Sequence, residues 1–340
     1  MNYDILNILS VPDHGDNFEV IITEGDKDFI KLGYLVSKET KIKVPIYNDI
    51  PNFNLINDSV HPQKKVYDIW WNESHSNLVY DKTDSSRIFN STIKIESNKF
   101  NNSKVLDLGC GNGRFSDLIS EKNPEMLVLF DVSDGIHHAY KNAKKNFKNV
   151  IAIQGDILNI PIKHEYFDCV YSWGVLHHTG DTRKAFSTAS SLTKFGGSLG
   201  VYVYVNNPEY KYNNTHLRFL SILRQKIIIE PLRFISQFLS KELVFALFQP
   251  IYYFEKTFNL GLVGCHGSGE DKFEKKRYFR VVIDRFKSKY ATEHSIEEVT
   301  RWFVEEQFNN LEIGEGPRVC ITGIKENRKL DTISLKINLK

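Results

Sequence analysis

The chain has 340 residues, 41% of them hydrophobic and 25% charged, with a net charge of +2. That length can bury a full core as one large or two small domains, and the near-neutral balance argues against nucleic-acid binding, which shows as a strong basic excess. Cys110, Cys169, Cys265 and Cys320 form no C-x-x-C pair, which excludes a zinc ribbon and a dense disulfide framework and suggests reduced thiols.

The first residues lack the basic start and apolar run of a signal peptide. No stretch of about 18 uncharged apolar residues suits a membrane span. A cytoplasmic location is therefore expected. Residues 1–60 read as a small β-rich segment, with strands at 18–22 and 33–37 and a polar turn between them. Residues 61–100 are polar with apolar and aromatic points such as Tyr67, Trp70, Trp71, Tyr80 and Phe89. The spacing over 85–95 predicts a helix.

From 104 the pattern changes to strands alternating with helices. Strands are predicted at 105–108, 126–130, 150–154, 167–172 and 198–205, with helices at 114–121, 135–147 and 182–193. Phe195-Gly196-Gly197 is read as a turn before the fifth strand. Such alternation implies a parallel sheet with right-handed crossovers. Residues 207–292 break the rhythm: 216–258 read as two or three amphipathic helices with Pro231 and Pro250 as breakers, and 261–269 as a flexible glycine-rich loop. Ser295 and Glu298 then form a capping box at the start of a helix, and 311–313 with 319–324 predict a closing antiparallel hairpin.

The first of these strands ends in Asp107-Leu108-Gly109-Cys110-Gly111-Asn112-Gly113. Glycines after a buried strand let the backbone turn tightly and approach a ligand closely. The dinucleotide fingerprint G-x-G-x-x-G needs a third glycine at position 114, where the chain has Arg114. A Walker loop is excluded because no Gly-Lys-Ser/Thr follows.

The pattern D-x-G-x-G-x-G resembles motif I of the class I S-adenosylmethionine (SAM) dependent methyltransferases, and the run from Phe167 to His178 resembles their small-molecule, methyltransferase type 11-like branch. The resemblance implies a Rossmann-like α/β fold: a seven-stranded sheet, mostly parallel, with an antiparallel last strand inserted next to the fifth. It implies SAM as methyl donor, S-adenosylhomocysteine (SAH) as product, and no metal. Asp107 then orders the methionine ammonium, Gly109, Cys110 and Gly111 pass under the ligand, and Gly113 permits close helix packing. Asp131, followed by Val132, grips the ribose hydroxyls. Asp156 accepts from the adenine amine, with Ile157 on the ring.

Tyr171-Ser172-Trp173-Gly174-Val175-Leu176-His177-His178-Thr179 ends the fourth strand, where methyl group and acceptor should meet. The resemblance adds Trp173 to the cofactor contacts and Tyr171 to the acceptor contacts. A neutral imidazole suits a base near pH 7. His177 is ranked above His178 in that role, and His178 is read as fixing the loop; a structural role for both is the alternative. Asp284-Arg285-Phe286, Tyr290 and His294 resemble a segment of long-insert relatives that reaches the acceptor pocket.

Pro45-Ile46 and Ile50-Pro51 resemble the end of a zinc-ribbon-like segment fused to some small-molecule methyltransferases. Its cysteines are missing, so a zinc-free structural or substrate-covering role is expected. The organisation read from the sequence is 1–60 as the N-terminal segment, 61–206 as the first part of the SAM-binding core, 207–292 as a helical insertion capping the acceptor, and 293–340 as the end of the core. The 207–260 helices also suit a homodimer surface or peripheral membrane contact. The expected activity is methyl transfer to a small molecule, at oxygen or nitrogen, in secondary-metabolite, glycan or lipid-linked biosynthesis. The alternatives are a non-catalytic or partner-activated scaffold and an RNA or protein methyltransferase.

Overall fold

The computed structural model describes residues 1–11, 14–55, 64–74, 82–205, 223, 225–258, 275–315, 319–327 and 334–337. The 261–269 loop, Arg218 and Arg224 of the predicted amphipathic helices, and the side chains of Trp70 and Trp71 lie outside the described residues.

Four short strands begin the fold: β1 (Phe18–Gly25), β2 (Ile30–Ser37), β3 (Lys43–Tyr47) and β4 (Ile50–Pro51), paired antiparallel in chain order. The turn between β3 and β4 has Asn48 and Asp49 both at positive φ, 49° and 70°. These two residue types tolerate that region, and a two-residue hairpin of this kind needs it twice. Asn52, just past β4, bridges Gln154 in parallel, and Asn54 donates to the Val132 carbonyl at 3.0 Å. The small sheet thereby meets the open edge of the larger one, the side on which an unpaired strand would invite foreign pairing.

The larger sheet contains β5 (Lys104–Leu108), β6 (Met126–Asp131), β7 (Val150–Gln154), β8 (Phe167–Trp173), β9 (Thr193–Val203), β10 (Phe308–Ile313), β11 (Val319–Lys325) and β12 (Leu335–Ile337). Among the described residues its order is β12-β10-β11-β9-β8-β5-β6-β7. β6 and β7 are buried at every residue, the mark of a strand covered on both faces. β11 runs antiparallel to both β9 and β10, its neighbours on either side. It is the antiparallel last strand that the sequence predicts beside the fifth. The three-residue β12 adds an eighth member alongside β10. The chain passes from β5 outward to β6 and β7, then returns to place β8 on β5's other side. This reversal leaves a crevice at the strands' carboxyl ends, where such sheets bind ligands.

Several boundaries differ from those expected. The first core helix is Ser116–Ser120 rather than 114–121. Gly111 and Gly113 take φ of 55° and 89°, and the loop closes through Gly113 N–H to the Cys110 carbonyl at 2.9 Å, so the helix starts late. β9 begins at Thr193. Phe195-Gly196-Gly197 is a bulge within it, where the register against β8 shifts between Phe167 and Cys169. Pro250 does not end a helix but lies inside Lys241–Phe258. Val244, Phe248 and Tyr252 form a buried i, i+4, i+8 stripe there, and their packing outweighs the backbone bond that proline cannot donate. Pro231 lies in the first turn of Glu230–Phe238, the position that tolerates it. At Ile296–Glu305 half of the capping box forms. Ser295 Oγ accepts from Glu298 N–H at 3.1 Å, while the Glu298 carboxylate lies 3.1 Å from His294 Nδ1.

The helices Lys241–Phe258 and Lys275–Val282 share a core of Val244, Phe248, Tyr252, Tyr278 and Val282 with Phe286 just beyond, and Leu232 of the helix Glu230–Phe238 packs against it, separate from the cores on the two faces of the sheet. Lys287 Nζ donates to the Leu239 carbonyl at 2.6 Å, and Arg233 donates to the Ala291 carbonyl at 3.2 Å. These bonds tie the helices to the 283–292 stretch that approaches the crevice. No helix among the described residues is long and apolar enough to cross a membrane.

Candidate functional site

The crevice holds a cavity of ≈ 300 Å³, at the lower end of the roughly 300–1,000 Å³ typical of ligand pockets. Its walls come from successive strand ends. Asp107, Gly109, Cys110, Arg114 and Phe115 follow from β5, Asp131 and Val132 from β6, Asp156 and Ile157 from β7, and Trp173, Gly174, Val175, His178 and Thr179 from β8. Tyr67, Tyr202, Tyr204 and Asp284 complete it.

The glycine loop shows why these positions exclude side chains. A Cβ on Gly109 would stand 2.5 Å from the Val175 side chain, and one on Gly113 would stand 2.7 Å from Ala139 Cα. Gly113 therefore lets the Gly135–Asn146 helix pack closely, as expected. Gly109 makes room for Val175, a protein neighbour that the sequence did not indicate.

Asp107 is 4% exposed. Ser116 Oγ and Tyr171 OH donate to the same oxygen, Oδ2, at 2.5 and 2.8 Å. Burial pushes its carboxyl up to about 7, against those two hydrogen bonds, which favour the charged form. Asp131 is held by three donors: Ser133 N–H and Oγ–H on Oδ1, at 2.8 and 2.5 Å, and Gly111 N–H on Oδ2, at 2.8 Å. Burial also raises the Asp131 carboxyl, with the Ser133 and Gly111 bonds opposing. Both its oxygens are thus fixed in direction. Asp156 Oδ1 accepts from Leu158 N–H at 2.9 Å and caps the turn that carries Ile157. Trp173 Nε1 donates to Thr92 Oγ1 at 3.0 Å. Arg114 Nε donates to Ser85 Oγ at 3.0 Å, and its guanidinium lies over Phe115, 5.2 Å from the ring centre.

The geometry places the two histidines differently. His177 is fully buried and does not line the cavity; its ring lies 3.9 Å from the Tyr204 ring and 4.1 Å from the His178 ring. Neither ring nitrogen has a hydrogen-bond partner among the described residues. Burial, with His178 and His294 nearby, pushes the ring well below its ordinary range. His178 is the histidine that lines the cavity. Its Nδ1 lies 2.8 Å from the Tyr290 carbonyl and 3.1 Å from Ser288 Oγ, and Nε2 lies 3.5 Å from Asp284 Oδ1. Burial lowers this ring too, with Asp284 and the Tyr290 carbonyl opposing.

Three acceptor-side expectations need correction. Tyr171 lies deeper in β8 than Trp173, is fully buried, and spends its hydroxyl on Asp107; it supports the acid rather than lining the cavity. Tyr290 contributes its carbonyl to His178, while its ring packs over Gly180, where an added Cβ would stand 3.1 Å away. His294 stands outside the cavity against Trp302, ring centres 4.9 Å apart, with Nε2 3.0 Å from Thr292 Oγ1. Asp284, by contrast, does reach the cavity, and Tyr204 donates its hydroxyl to Asp284 Oδ2. Tyr202 and Tyr204 were not singled out in advance. Their signal was their spacing of two at the end of the fifth strand, which puts both on one face.

Residues 99–225 match the family model described as a methyltransferase domain. An uncharacterised methyltransferase of Mycobacterium tuberculosis (strain ATCC 25618 / H37Rv) is 30% identical over 115 residues, covering 33% of this chain and 56% of that protein. The sterol 24-C-methyltransferase of Candida albicans is 28% identical over 181 residues, covering 49% of this chain and 44% of that protein. The chain thus spans about half the length of these curated relatives. The crystal structure of a SAM-dependent methyltransferase from Thermotoga maritima is 16% identical, covers 78% of this chain and 99% of that one, and has a TM-score of 0.40. The family match thus covers residues 99–225, the stretch that carries the glycine loop and the strands β5 to β9.

Proposed function

We propose that this chain transfers a methyl group from SAM to a small-molecule acceptor by in-line displacement. The observation that carries the reading is the convergence of Asp107, Asp131 and Asp156, from three successive strand ends, on one cavity beside a glycine loop. SAM supplies a methyl group already activated on a positively charged sulfur. The residues therefore need mainly to hold and align two reactants and exclude water.

In this reading Asp131 takes a ribose hydroxyl on Oδ2, the oxygen with one protein donor. Its three protein donors each use one lone pair and leave a carboxylate oxygen room for a second bond. Asp107 faces the methionine ammonium, and Arg114 suits the carboxylate at the same end. Asp156 accepts from the adenine amine, with Ile157 against the ring face. Val132 and Trp173 supply apolar wall. His178, with the lone pair of Nε2 toward Asp284, is the candidate base. His177 acts by packing His178 and Tyr204.

Incubation with SAM carrying a labelled methyl group, alongside a panel of small amines and alcohols, tests the activity. Label appearing in a small product, with matching SAH release, supports it. SAH binding without label transfer to any acceptor would favour the scaffold alternative.

A further inference from the structure

The insertion 207–292 differs from the rest of the chain in two respects that methyl transfer does not use. The first is charge. It carries 15 Lys and Arg against 8 Asp and Glu, a net of +7 in a chain whose total is +2, so the remainder is net negative. The near-neutral whole hides a basic segment.

The second is the way its helices face. The helix Glu230–Phe238, with the turn Gln225–Ile229 that leads into it, is inverted. Ser236 is buried and Arg233 donates to the Ala291 carbonyl, whereas Ile227, Ile228, Phe234, Ile235 and Phe238 are exposed. Phe234 is 65% exposed and Phe238 76%, the highest values among the large apolar side chains of the described residues. Their rings lie 5.2 Å apart. Helical spacing sets Ile227, Pro231, Phe234 and Phe238 along one side, with Ile228 and Ile235 beside them. The helix Lys241–Phe258 buries Val244, Phe248 and Tyr252 and exposes Leu243, Tyr253, Phe254 and Phe258. A surface helix ordinarily turns its apolar stripe to the core and a polar face to water. Apolar side chains grouped on an outer face mark contact with lipid or protein.

Charge decides between the two. A second copy docked face to face would bring two insertions of +7 together, and like charges across an interface oppose association. An anionic lipid surface meets the same charge with attraction. Among the described side chains Lys226, Lys256 and Lys275 are exposed on these elements, and the exposed acids there are Glu230 and Glu242. An apolar stripe along one side suits a helix lying in the plane of the headgroups, its stripe in the acyl boundary.

We propose that the outer face of residues 227–238 docks on an anionic lipid surface, with Phe234 and Phe238 entering the acyl boundary. This goes beyond the methyl-transfer reading and does not depend on it. The docked helix is bonded to the stretch that reaches the cavity, through Arg233 to the Ala291 carbonyl and through the Leu239 carbonyl to Lys287. Docking therefore sets that stretch, with Asp284 of the cavity wall, against the lipid.

The test is flotation of the full chain with vesicles of phosphatidylcholine alone and of phosphatidylcholine with about one-third phosphatidylglycerol. At low salt the mixed vesicles are expected to bind about tenfold more tightly than the neutral ones, and to lose that advantage at high salt. Phe234→Ser combined with Phe238→Ser, both outside the cores, should weaken binding to the mixed vesicles by about tenfold or more. Phe238→Trp with lipids brominated on the acyl chain reads insertion directly, and quenching beyond that of the wild type is expected. Flotation with neither vesicle, equal flotation with both, binding that survives the double substitution, or Phe238→Trp fluorescence quenched no more than wild type overturns the proposal. A wild type that sediments as a dimer and does not float, with the double variant monomeric, gives this face to a second copy instead.

Discussion

At the glycine-loop end of the cavity each acid is held by partners close in sequence or on an adjacent strand. Ser133 lies two residues from Asp131, Leu158 two from Asp156, and Ser116 nine from Asp107. At the Tyr67–Asp284 end the partners are remote: Tyr204 and Asp284 are 80 residues apart, His178 and Tyr290 112. The first end is a property of strand ends and their turns, and it forms once the parallel sheet forms. The second exists only when a segment far along the chain docks against β8 and β9. The donor grip is therefore expected to withstand changes that abolish acceptor chemistry.

The largest effect that would sharpen this contrast is His178→Gln. It should lower turnover by about a hundredfold or more, the scale of general-base loss, and leave SAH affinity within about twofold. His177→Gln should cost less than tenfold in turnover, because His177 does not reach the cavity. Rate assays on the two variants settle the order, and a greater loss at His177 would restore the ranking expected from sequence.

A stability test comes next. Gly113→Ala forces a side chain into a φ of 89° and sets Cβ against Ala139. A cost of roughly 2–4 kcal/mol is expected from strain and overpacking together, read as a lower denaturant midpoint. An unchanged midpoint would contradict the close helix approach.

The adjacent histidines mark where sequence reading stops. Buried apolar runs marked where three strands end, and the resemblance of the D-x-G-x-G-x-G loop and of the two later strand-end turns made Asp107, Asp131 and Asp156 legible. His177 and His178 lie on a tight turn, Leu176–His178, where no two- or 3.6-residue period decides which ring faces the cavity. Tyr171 and Trp173 share strand and parity, yet only the outer one reaches the cavity; depth along a strand has no local signature. Tyr290 works through its carbonyl, which any residue carries. Asp284 was legible only as part of a segment resembling acceptor-lining stretches elsewhere.

The smallest effect concerns pH at the donor end. Burial holds Asp107 near 7, above its ordinary 3.8, so the free protein carries a proton there below about pH 7. In this range the folded state binds more protons than the unfolded one, so this group's contribution to stability falls as pH rises from about 4 to about 7. A bound ammonium favours the carboxylate. SAH binding at pH 6 should release a proton and tighten as pH rises toward 7, with no further gain above. Calorimetry in two buffers of different ionisation heat measures the release, and Asp107→Asn should remove it. Release that persists in that variant would assign it elsewhere.

The central claim is that Asp131 and the glycine loop hold SAM. Titration of the wild type and Asp131→Ala with SAH tests it most directly. The substitution removes the ribose contact and strips the Gly111 N–H of its acceptor, so a loss of about thirtyfold or more is expected. Wild-type protein that gives no binding heat with SAH, or Asp131→Ala that binds it as tightly as the wild type, would contradict the account.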